Sequence, residues 1–386
     1  MDWQAELKDI LPRVTELRHL LHRHPEVSGS EYHTRDTMIA RMEALGLEIR
    51  RMEGCCSFTA TLRNGDGPCV GIRADMDALP VTETNDLPFA SENPGVMHAC
   101  GHDVHMSLAY GSALWLTAHR DRWRGTLRYL FESQEETVGG GKAMVEQGCM
   151  ENPHVDCVLG QHVNPRYPAG TFYCKPGYVS GAGDTIRLTV TGKCCHGAYP
   201  ETGVDAIVIA AQVITALQTL VSRTLSPFDP AAITLGTVQG GTASNIVCGE
   251  VKLTGTMRTL SPATRKLLKE KMPRLAQGIA EGMGGSAQVE FLPSYSAVYN
   301  DDRLYALVEE ACGQVIGPEN IIRREAPSLG LESVCYFMEN TPGVFYDIGS
   351  GLSTALHTST FLVDESALLP GVAMQTASIL ALLENI

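Results

Sequence analysis

The sequence predicts an α/β fold in which a mostly parallel sheet is interrupted by an inserted α+β domain. Short apolar runs at 58–62, 70–74, 126–131 and 155–159 are separated by helical stretches, as expected of strands buried on both faces. Polar clusters follow these runs: Asp75 and Asp77 after one, Glu135 and Glu136 after another, and His162 after a third. In such sheets chemistry gathers where strands end. The texture then changes between Gly183 and Leu292, where an alternating strand, a long apolar helix, two further strands and another helix read as an α+β unit. A chain of 386 residues exceeds what one core usually organises. We expect one domain from residues 1–182 and 293–386, and an inserted one from 183–292.

Taken in order, residues 7–23 carry leucines and valines at helical spacing, broken by Pro12, where the helix kinks or restarts. A second helix is expected from Ser30, as its cap, to Gly46, with Glu31 in the first turn. Asp103 reads as the N-cap of a helix running through Ala118. The insert offers strands at 184–190, 232–238 and 250–258 and helices at 206–221 and 263–281. A strand at 344–348 and a closing helix at 368–383 resume the α/β pattern.

The net charge of -14, with no offsetting Lys/Arg stripe, argues against nucleic acid as a partner. The N-terminus, MDWQAELKD, is acidic and amphipathic, and no apolar run is read as spanning a bilayer. We therefore expect a cytoplasmic protein with no membrane partner. Twelve cysteines include the adjacent pairs Cys55-Cys56 and Cys194-Cys195, which fit reduced, mostly buried thiols better than disulfides.

The most informative stretch is MHACGHDVH at 97–105. In an extended segment Cys100 and His102, two apart, face one side and can grip one metal ion. Alone, such a C-x-H is as readily a buried thiol beside structural histidines, and His98 and His105 read as structural. Glu135 and Glu136, in YLFESQEETVGGG, end a strand. One can bind metal while the other reaches an attacking water as a base, although an isolated pair is more often a solvated loop. Asp75 and Asp77, in RADMDALP, read equally as ligands, as groups orienting a ligand histidine, or as turn caps. His162 and His357 are lone histidines near strand or loop ends. Together, Cys100, His102, Glu136, His162 and His357 supply nitrogen, oxygen and sulfur donors suited to one or two Zn2+ or Mn2+ ions.

At these residues the chain resembles the amidohydrolase branch of the aminoacylase metallopeptidase superfamily, which includes hippurate hydrolases, auxin-conjugate hydrolases and N-acyl-amino-acid deacylases. The likeness runs through LRHLLHRHPEVSGSE, RADMDALP, MHACGHDVH, QEE with its glycines, the His162 segment, HGAYP, GGTASNIV, GTMR and LHTSTF, in family order. It implies that Cys100, His102, Glu136, His162 and His357 hold two divalent ions, Zn2+ or Mn2+, with Ni2+ or Co2+ as further options. Glu135 would be the general base, and Asp77 would support the ligands from behind. The insert would be a lid and dimerisation domain whose His196, Asn245 and Arg258 face the substrate, His196 acting across a homodimer. The implied reaction cleaves a hippurate-like N-acyl-L-amino acid to a carboxylic acid and a free amino acid. LHTSTF lacks the Ser-Pro common after the family's last histidine, and FESQEE lacks the usual proline before the glutamates. Both departures bear on substrate identity, so N-acetyl-diaminopimelate, N-carbamoyl amino acids and dipeptides stand as rival substrates. A silent binding protein is the rival of another class, against which the intact Glu135 and ligand set argue.

Overall fold

The computed structural model describes every residue except residue 352, with residue 293 as backbone alone. The chain divides into two compact units: Met1–Val179 with Val298–Ala326 and Ser333–Ile386, and Ser180–Ala297 with Pro327–Glu332. The short 327–332 segment, which sequence pattern leaves with the first unit, joins the second.

In the first unit an eight-stranded sheet runs in the order Glu48–Arg51, Phe58–Asn64, Gly125–Glu132, Cys69–Asp75, Cys157–Asn164, Gly343–Gly349, Phe172–Cys174, Ile321–Arg323. Its four central strands are parallel. Phe58–Asn64 departs from the expectation of a helix between successive strands. Only a glycine-containing loop, with positive φ at Gly65 and Gly67, joins it to Cys69–Asp75. A parallel neighbour needs a long crossover, so Phe58–Asn64 pairs antiparallel with Gly125–Glu132 instead. Strands buried on both faces need apolar cover. Helices Leu11–Arg23, His102–Ala118 and Leu368–Asn385 supply it through Val14, Leu17, Leu108, Trp115, Val372 and Ile379. Burying each large aliphatic side chain contributes roughly 1.5–3 kcal/mol.

Local sequence chemistry explains the helix boundaries, with two corrections. A short helix, Trp3–Glu6, precedes Leu11–Arg23, and Pro12 sits in the first turn of the latter, so the chain restarts there rather than kinks. The next helix, Tyr32–Glu43, has Glu31 rather than Ser30 at its N-cap, and the Glu31 side chain makes no cap bond. The Glu26 carboxylate does so instead, accepting from the backbone N–H groups of His33 and Thr34. Asp103 lies inside the first turn of His102–Ala118, not at its cap. Its buried carboxylate accepts from Arg18 Nε at 3.1 Å and pairs with His22 Nδ1 at 2.9 Å.

The second unit is a four-stranded antiparallel sheet in the order Ala231–Gly240, Glu250–Thr259, Ala182–Thr191, Ser286–Pro293. Helices Ala206–Thr219 and Pro262–Gly282 share its core, with Ile186, Val190, Val213, Leu217, Leu268 and Met272 buried. Both helices start on N-cap side chains, Asp205 and Ser261. Contrary to the sequence-based expectation, two helices are long and apolar enough to cross a membrane, at 206–224 and 365–385. Each supplies residues to its unit's core, so their apolar character has a packing role. The cysteines are all unpaired.

Burial disfavours a charged His22, but Asp103 on one ring nitrogen and Glu83 on the other outweigh it and raise its pKa to about 9. A pKa raised above the unfolded value of 6.5 gives stability that is fully present below that value and lost as pH rises through about 9. We expect the difference in unfolding free energy between the wild type and His22→Leu to be widest near pH 6 and to shrink toward about pH 10. Denaturant titrations at each pH measure this, and a difference independent of pH would contradict the assigned charge.

Candidate metal centre

The C-terminal ends of the parallel strands carry the polar residues. Asp75 closes one strand opposite Glu132 of the next, and His162 lies opposite Asp347. Asp75 is fully buried and saturated: Arg73 Nη1 lies 2.5 Å away and His105 Nδ1 2.6 Å. Arg73 also pairs with Glu132 Oε2 at 2.8 Å. His105 Nε2 accepts the Val163 N–H at 2.9 Å, which puts its single proton on Nδ1, toward Asp75. Burial holds this imidazole neutral, with a pKa lowered to about 4. Asp75 and His105 thus carry scaffold bonds, and with His102 they also form a three-donor set whose donor atoms lie within 4.8 Å of one another.

His162 is oriented the opposite way. Its Nδ1 donates to its neighbour's carbonyl, Val163 O, at 2.7 Å, leaving Nε2 facing Cys100 Sγ at 3.4 Å. Cys100 and His102 are not joined by extended backbone as the spacing predicts. Gly101 between them takes a left-handed φ of +83°, and the helix begins at His102. A Cβ on Gly101 would sit 2.4 Å from Val163 Cγ2, so only glycine fits this close approach.

Glu135 and Glu136 follow a turn in which Gln134 adopts φ +63°. Asp77 holds that turn from behind, accepting the Glu135 N–H on Oδ1 at 3.1 Å and the Glu136 N–H on Oδ2 at 3.0 Å. Its Oδ1 also lies 3.5 Å from His102 Nδ1, so the Nε2 side of that ring faces Glu136 Oε1, at 3.9 Å. His357, itself at φ +65° and anchored by its N–H to Ala99 O, brings Nε2 to 3.3 Å from both Glu136 Oε1 and Cys100 Sγ. The structure thus brings together Cys100, His102, Glu136, His162 and His357, drawn from separate stretches of chain. Glu135 lies beside them, its Oε1 accepting the Ser333 N–H at 3.2 Å.

The electrostatics are those of an anionic donor set. Burial opposes a charged His102, yet Asp75, Asp77 and Cys100 hold its pKa well above the usual imidazole range. Burial likewise opposes charge on His162, but Cys100 raises it to about 9. Burial pushes the Glu136 carboxyl up, and His357 and His102 more than offset this, leaving it low. Both ring nitrogens of His102 and Glu136 Oε1 are buried without a hydrogen bond. Two three-donor sets, Cys100–His102–His162 and Cys100–Glu136–His357, have donor atoms within 4.8 Å of one another and share the thiol. A divalent cation fits such orphaned, crowded and mixed donors.

The remaining sequence-derived candidates lie in the second unit. His196 and Asn245 are neighbours there: the Gly197 N–H donates to Asn245 O at 2.8 Å, where Cys195–His196 pairs with Ile246–Val247. Arg258 is on a different element, Glu250–Thr259, half-buried opposite Gly183, and makes no ion pair among the described residues. Sequence reasoning did not find Arg73 or Ser28, and it read His105 as structural without its partners, Asp75 and the Val163 N–H. Only their places inside RADMDALP, PEVSGSE and MHACGHDVH could have signalled them.

Strand-end donors of this kind, beside a second carboxylate at the edge of a mostly parallel α/β sheet, define a hydrolase of the metallopeptidase type. The model of peptidase family M20/M25/M40 matches residues 71–381, and the chain belongs to that family. It is 37% identical over 379 residues to a probable hydrolase of Synechocystis sp., covering 96% of each. It is 34% identical over 358 residues to an N-acetylcysteine deacetylase of Bacillus subtilis, covering 92% of this chain and 93% of that protein. Among solved structures, a dinuclear metal-binding M20 peptidase of Bacillus subtilis superposes with a TM-score of 0.86 at 30% identity, covering 98% of this chain and 99% of that one.

Gly101→Ala meets both the left-handed φ and the Val163 contact. We expect a loss of about 1–3 kcal/mol in unfolding free energy by denaturant titration. A variant as stable as the wild type would show that this turn tolerates a side chain.

Proposed function

We propose that this chain is a two-metal amidohydrolase that cleaves N-acyl-L-amino acids to a carboxylic acid and a free amino acid. The observation that carries this reading is the pair of donor sets sharing Cys100, with the Glu135 carboxylate beside His102 and Glu136. Cys100, His102, Glu136, His162 and His357 would hold the ions, with Zn2+ or Mn2+ best suited to the mixed donors and Ni2+ or Co2+ as alternatives. Bound divalent ions would polarise the amide carbonyl and lower the pKa of a water toward about 7. The relative that deacetylates N-acetylcysteine supports an N-acyl amino acid as substrate.

Glu135 is the general base in this reading. Its carboxylate, oriented by the Ser333 N–H, takes the proton from the attacking water and returns it to the leaving amine. Asp77 keeps His102 and the Glu135–Glu136 backbone in place. The second unit would serve as lid and dimerisation domain, with His196 holding the reacting carbonyl oxygen across a homodimer and Asn245 facing the substrate. Arg258 grips the amino acid's carboxylate, and its lack of an ion pair among the described residues supports that assignment. Exposed Ile207, Val208 and Val238 on that unit support association between copies. Unpaired thiols fit a reducing, cytoplasmic setting.

Amine release from a panel of hippurate, acetylated amino acids, N-acetyl-diaminopimelate, N-carbamoyl amino acids and dipeptides, each with Zn2+, Mn2+, Co2+ or Ni2+, tests the reading. N-acyl amino acids should turn over fastest. Binding without product release, across the panel and with every metal, would instead identify a silent binding protein. Glu135→Ala should lower kcat by at least about 10²-fold while metal content, by elemental analysis, stays at the wild-type level. Cys100→Ala should lose metal, and full metal occupancy in that variant would remove the shared thiol from the donor set.

A further inference from the structure

Glu31 stands at the N-cap of Tyr32–Glu43 but does not cap it, since Glu26 fills that role. Its side chain is completely buried. A carboxylate removed from water and released from its own helix needs another partner. It finds one across the fold: Glu31 Oε1 accepts the Gln134 N–H at 2.8 Å. Gln134 is the left-handed residue of the turn that aims Glu135 and Glu136. With Asp77 accepting the next two N–H groups, three successive backbone donors, at 134, 135 and 136, are held by two buried carboxylates.

The loop leading to Glu31 completes the mould. Ser28 Oγ donates to Asp77 Oδ2 at 2.5 Å, tying the loop to the second of those carboxylates. Gly29, at φ +83°, leaves room for the Gln134 side chain, whose Nε2 would lie 2.9 Å from a Cβ placed there. Segment 28–31 thus contacts both the backbone and the side chain of Gln134.

We propose that Glu31 is a positioning residue for the reaction: its carboxyl oxygen holds the Gln134 N–H and so fixes the left-handed turn that places the Glu135 carboxylate. This rests on Glu135 being the base, as proposed above. What Glu31 supplies is an acceptor oxygen at a fixed length, not a charge. Glutamine supplies the same acceptor, and methionine has the same length without it.

The test compares Glu31→Gln and Glu31→Met in the metal-loaded enzyme, with the N-acyl amino acid that the wild type cleaves fastest. Glu31→Met should lower kcat by about ten- to a hundredfold, with KM and metal content near wild type, because a displaced base affects the chemical step more than binding. Glu31→Gln should stay within about threefold of wild type in kcat. The proposal is overturned if Glu31→Met keeps wild-type kcat, or if Glu31→Gln loses as much as Glu31→Met. Should Glu31→Met not fold, the Glu31→Gln result decides alone, with near-wild-type kcat upholding the proposal and a tenfold or greater loss overturning it. Crystal structures of the two variants provide a readout independent of turnover: Gln134 should keep its left-handed φ in Glu31→Gln and leave it in Glu31→Met. If the wild type cleaves no N-acyl amino acid, the proposed function fails, while these structures still decide whether Glu31 holds the turn.

Discussion

Charge buried away from water must be neutralised by its neighbours, and in this chain that requirement centres on Asp75. A single carboxylate, fully buried at a strand end, is neutralised by Arg73 on its own strand, accepts a hydrogen bond from neutral His105 of the adjacent helix, and lies 3.5 Å from His102 Nε2. Through His105 it also reaches the Val163 N–H, beside His162. Removing one partner from such a buried network typically costs about 3–5 kcal/mol, because the remaining charge is left unpaired. That penalty keeps the strand ends in register with the helix start. It also sorts the histidines, for His105 is consumed by scaffold bonds while His102 keeps both ring nitrogens without a hydrogen bond.

The same logic runs through Asp77 and Glu31. Each accepts backbone N–H groups of one turn, Asp77 taking the Ser28 hydroxyl as well. The donor cluster is therefore supported from behind by buried carboxylates whose partners lie within the protein. Rigid support of this kind is what separates a set of nearby side chains from a preorganised centre.

Much of this was legible in the sequence, for identifiable reasons. Buried parallel strands write themselves as short apolar runs, and residues just past those runs must meet at one edge, so Glu136 and His162 could be gathered without coordinates. The insert showed itself through alternation in Ala182–Thr191, where one face is buried and the other is not. What stayed hidden depends on three-dimensional environment. The direction of Phe58–Asn64 turns on a connection too short for a crossover, and Glu31 has the composition of an ordinary cap residue until its burial is seen. The left-handed Gly101 reads as any glycine until Val163 is placed against it.

Two residues with side chains, Gln134 and His357, sit in left-handed backbone in segments that supply the donor cluster. For residues bearing a Cβ this conformation is unfavourable by roughly 1–2 kcal/mol each. Laboratory selection for heat resistance would find an easy gain at these positions, since asparagine or glycine relieves the backbone there. At His357 that gain removes an imidazole from the cluster, and at Gln134 it frees the hinge before Glu135. Thermostability and activity are therefore set against each other at these two positions, and a hardened variant should be sought elsewhere in the chain.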